Sequence, residues 1–225
     1  VRKSYELSFC SNFNSVLGIM YPMFLSVEFD ILTIFILTLI TISQSLFGVG
    51  ILLWGTPLFL LLGQSFTDTL SLLLPLSFLI SILQVLPELE NVDRRIFIRF
   101  LSFSFPGIFL GLNFTLIYKP DVNIIVASIL FISIGLNFRT LSYVILKFVK
   151  KYDPAFIFII GLVHGISNLG GPLILLRISF EKFKKESYRA LTASVYLLFS
   201  TIQMAIIVYQ FGYLKVSLIY IILVV

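Results

Sequence analysis

Apolar residues run through this chain in stretches too long and too even for a soluble fold. Seven predicted helical segments stand out, at Ile31–Phe47, 70–86, 96–118, 122–138, 155–176, 188–209 and 213–225. Polar connectors separate them: PELENVDRR at 87–95, a basic stretch at 139–154 and another at 177–189. Within 139–154, residues 141–149 are apolar apart from Lys147 and are expected to lie along the membrane interface. The runs are too continuous for barrel strands, which alternate every second residue. The pattern predicts an all-α integral membrane protein of about seven to eight transmembrane helices. It forms one membrane domain over residues 1–225, built of two related halves at roughly 31–118 and 141–225.

Two of the runs are broken. Residues 47–63 read FGVGILLWGTPLFLLLG and residues 162–176 read LVHGISNLGGPLILL. Glycine and proline are the residues least suited to a helix interior. Aligned on their prolines, Pro57 and Pro172 stand 115 residues apart, and that register places Gly50 on Gly165 and Gly55 on Gly170. Gly/Pro-interrupted segments in matching positions of two halves point to the substrate site of a secondary transporter.

Proline fits best in the first turn of a helix. Gly55-Thr56-Pro57 and Gly170-Gly171-Pro172 are therefore expected to open two half-helices. A helix N-terminus carries free N–H groups and a partial positive charge, and a bare glycine backbone lets an anion come close. Two such termini facing each other make an anion site with no cationic side chain. Polar residues gather around the breaks: Ser43, Gln44 and Ser45 before the first, His164, Ser167 and Asn168 within the second. Thr69, Ser71, Gln84, Thr192, Ser194 and Gln203 lie on the helices that follow. A serine or threonine in a helix commonly bonds its own backbone, whereas an amide or imidazole needs outside partners. His164, with an ordinary pKa of about 6.5, is either a proton carrier or a hydrogen-bonded structural histidine. Gly107 and Gly111, four apart, are expected to pack a neighbouring helix closely, within the chain or in a homodimer.

Composition narrows the class. The chain is 59% hydrophobic and only 12% charged, which leaves a soluble domain nowhere to hide its apolar surface. One cysteine, Cys10, precludes an internal disulfide, and one histidine argues against a metal centre; no metal or cofactor is expected. The net charge of +5 reads either as loop lysines and arginines that orient the chain in the bilayer or as a field that draws anions. Nothing points to nucleic acid. Basic stretches at 87–99, 139–151 and 177–189 all favour the cytoplasm, yet strict alternation of seven spans sets the last opposite the other two. One segment is thus expected to be re-entrant, with the broken ones as candidates. Residues 20–27, with Pro22, lack the order of a signal peptide. The chain starts with Val1, and the run at 213–225 rises only about 20 Å against a hydrocarbon core of about 30 Å, as in a fragment or an incomplete last helix.

At the breaks the sequence resembles the TauE/SafE family, the sulfite exporter or TSUP family of membrane permeases. Gly48-Val49-Gly50, Pro57, the Leu-rich run at 58–62 and Gly63 follow the family's first-half pattern, although Ile51 and Leu52 stand where further glycines are frequent. Gly161, Gly165, Gly170, Gly171 and Pro172 follow the second. The resemblance spans roughly 31–209. It implies a multi-pass permease of the cytoplasmic membrane that moves a small anion such as sulfite, a sulfonate or a related organic anion, proton-coupled or facilitated. The expected binding residues are Gln44, Gly48, Gly50, Gly55, Thr56, Pro57, His164, Gly165, Ser167, Asn168, Gly170, Gly171 and Pro172. Two other classes stay open: a membrane scaffold or assembly subunit without transport, and an intramembrane hydrolase using His164 and Ser167. The hydrolase lacks the supporting His-Glu-x-x-His or Gly-x-Ser-x-Gly motif, and no catalytic residue is expected.

Overall fold

The computed structural model describes residues 31–48, 50–135 and 139–211 of the chain; Cys10, residues 20–27 and the run at 213–225 lie outside them, as do the side chains of 139–147. Every regular element among the described residues is helical. In order they are α1 (Ile31–Phe47), α2 (Ile51–Leu61), α3 (Phe66–Val85), a 3₁₀ turn (Leu86–Asn91), α4 (Arg94–Tyr118), α5 (Val122–Gly135), α6 (Arg139–Ser167), α7 (Gly171–Ser179) and α8 (Lys185–Phe211). The first six predicted segments fall on these helices, with one refinement, and the seventh lies outside the described residues. Each broken run resolves into a long helix followed by a separate short one.

Among the described residues three helices are long and apolar enough to cross a membrane: α3 with its 3₁₀ extension, α4 and α8, of 26, 25 and 27 residues. By contrast α2 has 11 residues and α7 has nine, rises of about 16 and 14 Å, so neither crosses alone. Three helices outside the breaks start with a side-chain cap. Ser65 Oγ accepts from Asp68 N–H at 3.2 Å ahead of α3, Asp93 Oδ1 from Ile96 N–H at 3.0 Å ahead of α4, and Asp121 Oδ1 from Asn123 N–H at 3.0 Å ahead of α5. The α2 and α7 caps, Gly50 and Gly170, have no side chain to offer.

The core is the face where α3 meets α8. Leu70, Leu73 and Leu74 on α3 and Val195, Tyr196 and Phe199 on α8 are fully buried there. Large apolar side chains also point outward, among them Phe35 on α1, Leu110 on α4 and Phe131 on α5, more than half exposed in each case. A belt of that kind suits contact with lipid tails.

The closest packing joins α4 to α6. Gly107 and Gly111 face Gly161 and Gly165, and the backbones touch. A Cβ on Gly165 would sit 2.6 Å from the Ile108 carbonyl oxygen and 3.1 Å from Gly111 Cα. The Gly107/Gly111 pair thus packs inside one chain, the first of the two arrangements its spacing allows. Thr115 Oγ1 ties the crossing further by donating to Gly111 O at 3.1 Å and Ile166 O at 3.2 Å. Gly161→Ala places its methyl against the Ser104 backbone, which cannot yield as a side-chain end would. We expect it to destabilise the fold by about 2 kcal/mol, read as a lower melting temperature in detergent, while Gly63→Ala, with nothing within 4 Å of its Cβ, costs less despite its positive φ.

Between its two sections α6 bends. Tyr152 leaves helical geometry at φ −132° and ψ 46°, and Pro154 takes the first turn of the section that follows.

Candidate functional site

Gln44 is fully buried near the end of α1, where three N–H groups donate to it and its own Nε2 donates to Ser81 Oγ of α3 at 3.3 Å. Its carbonyl accepts Gly48 N–H at 2.8 Å, closing the helix, and also accepts Gln84 Nε2 of α3 at 2.8 Å. Its side-chain Oε1 accepts the N–H of Ile51, the first residue of α2, at 3.0 Å. Gly48 turns the chain with φ +74°, a conformation that glycine tolerates best. Trp54 N–H then reaches Gly50 O at 2.8 Å and α2 is under way.

The second break repeats this arrangement with other residues. His164 is fully buried in the last turn of α6. Its carbonyl accepts Asn168 N–H at 2.7 Å and Gln203 Nε2 of α8 at 3.4 Å. Its ring Nδ1 accepts Gly170 N–H at 3.2 Å. Asn168 turns the chain with φ +63°, which asparagine adopts more readily than most side chains. Ile174 N–H reaches Gly170 O at 3.0 Å, and α7 begins. Gln44 corresponds to His164, Gly48 to Asn168, Gly50 to Gly170 and Gln84 to Gln203.

This geometry corrects the register. Gly50 matches Gly170, 120 residues on, rather than Gly165. The first half-helix starts at Ile51, so Gly55, Thr56 and Pro57 lie inside α2 and do not open it. Gly55 instead lets α2 approach α1 and α3, since a Cβ there would meet Leu73 Cδ1 at 2.8 Å and Ile40 Cδ1 at 3.0 Å. Gly165 faces α4 in the glycine crossing. Pro172 does occupy the first turn of α7, as its sequence position suggests.

One bond joins the breaks directly: Asn168 Nδ2 donates to Thr56 Oγ1 at 2.9 Å, with both residues buried. Thr56→Val removes that acceptor inside the protein, and we expect a loss of about 1–2 kcal/mol, measured by thermal unfolding in detergent. Beside the start of α7 stands Tyr196 of α8. Its hydroxyl is buried without a hydrogen-bond partner and lies close against Gly171. Asn168 Oδ1 and His164 Nε2 are likewise buried and unpartnered. A helix's first turn has no internal acceptor for its N–H groups, so Gly171 and Leu173 N–H join these atoms as hydrogen-bonding groups around one short helix start. Tyr196 was not among the sequence candidates; a tyrosine inside an otherwise apolar run was the available signal.

Ser167 takes no part in a hydrolase pair. Its Oγ donates to Val163 O at 2.7 Å and accepts Leu169 N–H at 3.2 Å, while the His164 Nδ1 lone pair is engaged by Gly170. Thr192 and Ser194 bond Tyr188 O and Ala190 O of their own helix. Among the described residues no three His, Cys, Asp or Glu side chains gather to hold a metal ion.

The far end of α7 is charged. Arg177 is buried, yet Asp153, just past the bend of α6, grips it twice, through Nε at 2.5 Å and Nη2 at 3.0 Å. Glu181 takes Arg177 Nη1 at 2.7 Å, and Arg99 of α4 shares Asp153 at 3.1 Å. The cluster pins the C-terminal end of the half-helix to α6 and α4. Its residues are scattered over 99–181, and no local motif announces them.

The family model described as Sulfite exporter TauE/SafE matches residues 33–225. No curated protein and no solved structure matches the chain.

Proposed function

The chain belongs to the Sulfite exporter TauE/SafE family, and on that premise we propose that it is a multi-pass secondary permease of the cytoplasmic membrane, moving sulfite, a sulfonate or a related small organic anion. The anion is held by backbone N–H groups at the starts of α2 and α7. The observation that carries this reading is the doubled break: two short helices begin with the same bonding pattern, and the Asn168–Thr56 bond brings the second break against α2. The Tyr196 hydroxyl supplies a donor beside Gly171, and no cationic side chain is required. An electrically neutral site of this kind binds an oxyanion without trapping it.

A cavity of about 470 Å³ supports an approach route. It lies beyond the C-terminal end of α2, is lined by Gln64, Ser65, Lys119 and Asn123, and reaches Thr115, which bonds the Ile166 carbonyl next to the second break. Lys119 and Asp121 both line it, one charge of each sign. The test is flux through purified protein in sealed vesicles: labelled sulfite and a small sulfonate should enter faster than into protein-free vesicles and compete with each other. Vesicles that stay as tight as protein-free ones to every small anion would overturn the reading.

A further inference from the structure

The two breaks match in geometry but not in chemistry. In the first, the acceptor for the start of the half-helix is an amide oxygen, Gln44 Oε1, which holds no proton at any ordinary pH. In the second it is an imidazole nitrogen, His164 Nδ1. Because Gly170 N–H donates to Nδ1, the ring proton must reside on Nε2. That atom is fully buried and has no partner.

We propose that His164 is the proton-binding site of the permease and that its protonation unlatches the start of α7. A proton on Nδ1 occupies the lone pair that Gly170 N–H now uses. The two states exclude each other: either Nδ1 accepts from Gly170, or Nδ1 carries hydrogen and Gly170 N–H is released. No other group changes charge in this step; one proton is taken up and one N–H···N bond is broken. The released N–H becomes available to an oxyanion at the helix start, and the new positive charge lies next to it. Proton and anion therefore favour each other's binding, and a monovalent anion moves with its proton without net charge. Gln44, which cannot titrate, holds the Ile51 N–H throughout and leaves the other first-turn N–H groups of α2 to the anion.

The surroundings leave His164 as the group that responds. From α8, the Phe199 ring centroid lies 4.7 Å from the imidazole centroid, and Gln203 bonds the His164 carbonyl. Gln203 Oε1, like His164 Nε2, is buried without a partner. From α4, Gly111 and Leu112 face this end of α6, and from α7 the backbone of Gly170 does. Tyr196, against Gly171, is the nearby titratable hydroxyl. The charged cluster at Asp153 is eleven residues back along α6, roughly 16 Å away.

The inference rests on the anion-permease reading, and the experiment separates the two. His164 is the sole histidine of the chain, so selective nitrogen-15 labelling gives the Nδ1 and Nε2 signals of a single ring. At high pH the ring should show the Nε2–H tautomer. On acidification Nδ1 should protonate, and the Gly170 amide signal should shift with the same midpoint. A Gly170 amide that stays still while the ring titrates overturns the latch, whatever the protein transports. In vesicles, one pH unit should drive about a tenfold accumulation of the anion for one coupled proton. His164→Gln, which restores the acceptor found at Gln44, should abolish accumulation of the anion under a pH gradient. A His164→Gln protein that accumulates anion like the parent overturns the proposal. A parent protein that moves no anion sinks the permease reading alone, since the ring and amide signals still decide the latch.

Discussion

Gly171→Ala is expected to cut anion flux by about a hundredfold while the chain still inserts and folds. The added methyl would fall inside contact distance of the Tyr196 hydroxyl oxygen, which is packed in the core and cannot swing away. Either the ring or the first turn of α7 must shift, at a cost of about 1–3 kcal/mol in stability. An N–H group moved by even 1 Å no longer aims at the same anion. A second substitution tests the cause. With Tyr196→Phe the clashing oxygen is gone, and the next ring atom, Cζ, stands 3.5 Å from the new methyl, an ordinary contact. The double variant should regain the melting temperature of the parent. Its flux should remain low, because the hydroxyl that faces the helix start has gone with the clash. Full recovery of flux would mean that Tyr196 does not touch the anion.

The largest effect on stability is expected from Asp153→Asn. Arg177 would keep its charge, buried at one end of α7, with its doubly bonded carboxylate replaced by a neutral amide. Glu181 still holds Arg177 Nη1, so the charge is not left alone and the loss should be about 2–3 kcal/mol. Arg99→Ala removes a partner from the same carboxylate, but from a side chain 39% exposed, and should cost at most about 1 kcal/mol. Thermal unfolding of the two variants side by side measures the difference. Equal losses would show that Arg177 does not depend on Asp153.

Much of the helical layout was legible because apolar runs mark it directly, and α1 matches its predicted span residue for residue; the basic stretch 139–154, read as a connector, is instead the first section of α6. The second break was legible too, since Gly170, Gly171 and Pro172 are the letters that helix starts favour. The first break was misread by identity of letters. Matching Pro57 to Pro172 looked natural, but Pro57 sits in the middle of α2, and the residues that do correspond share little: Gln44 with His164, Gly48 with Asn168, Ile51 with Gly171. What they share is physical behaviour. Gly and Asn both tolerate the left-handed turn, and Gln and His both present an acceptor to an N–H six or seven residues on. A search for a turn-tolerant residue four positions after a buried acceptor would have found both breaks. The Arg177–Asp153 pair was out of reach, because only the bend at Tyr152 and the length of α7 bring the two side chains together.

The glycine crossing of α4 and α6 bears on how such a molecule can move. Backbones that interlock at Gly107, Gly111, Gly161 and Gly165 cannot slide or roll by one residue without driving a larger side chain into a carbonyl. Those two helices therefore travel as one beam, whatever the rest of the protein does during a cycle. Motion is left to the starts of the short helices at the breaks. A pair of probes set across the beam should report one fixed separation, and a probe moved from α6 to α7 should report two.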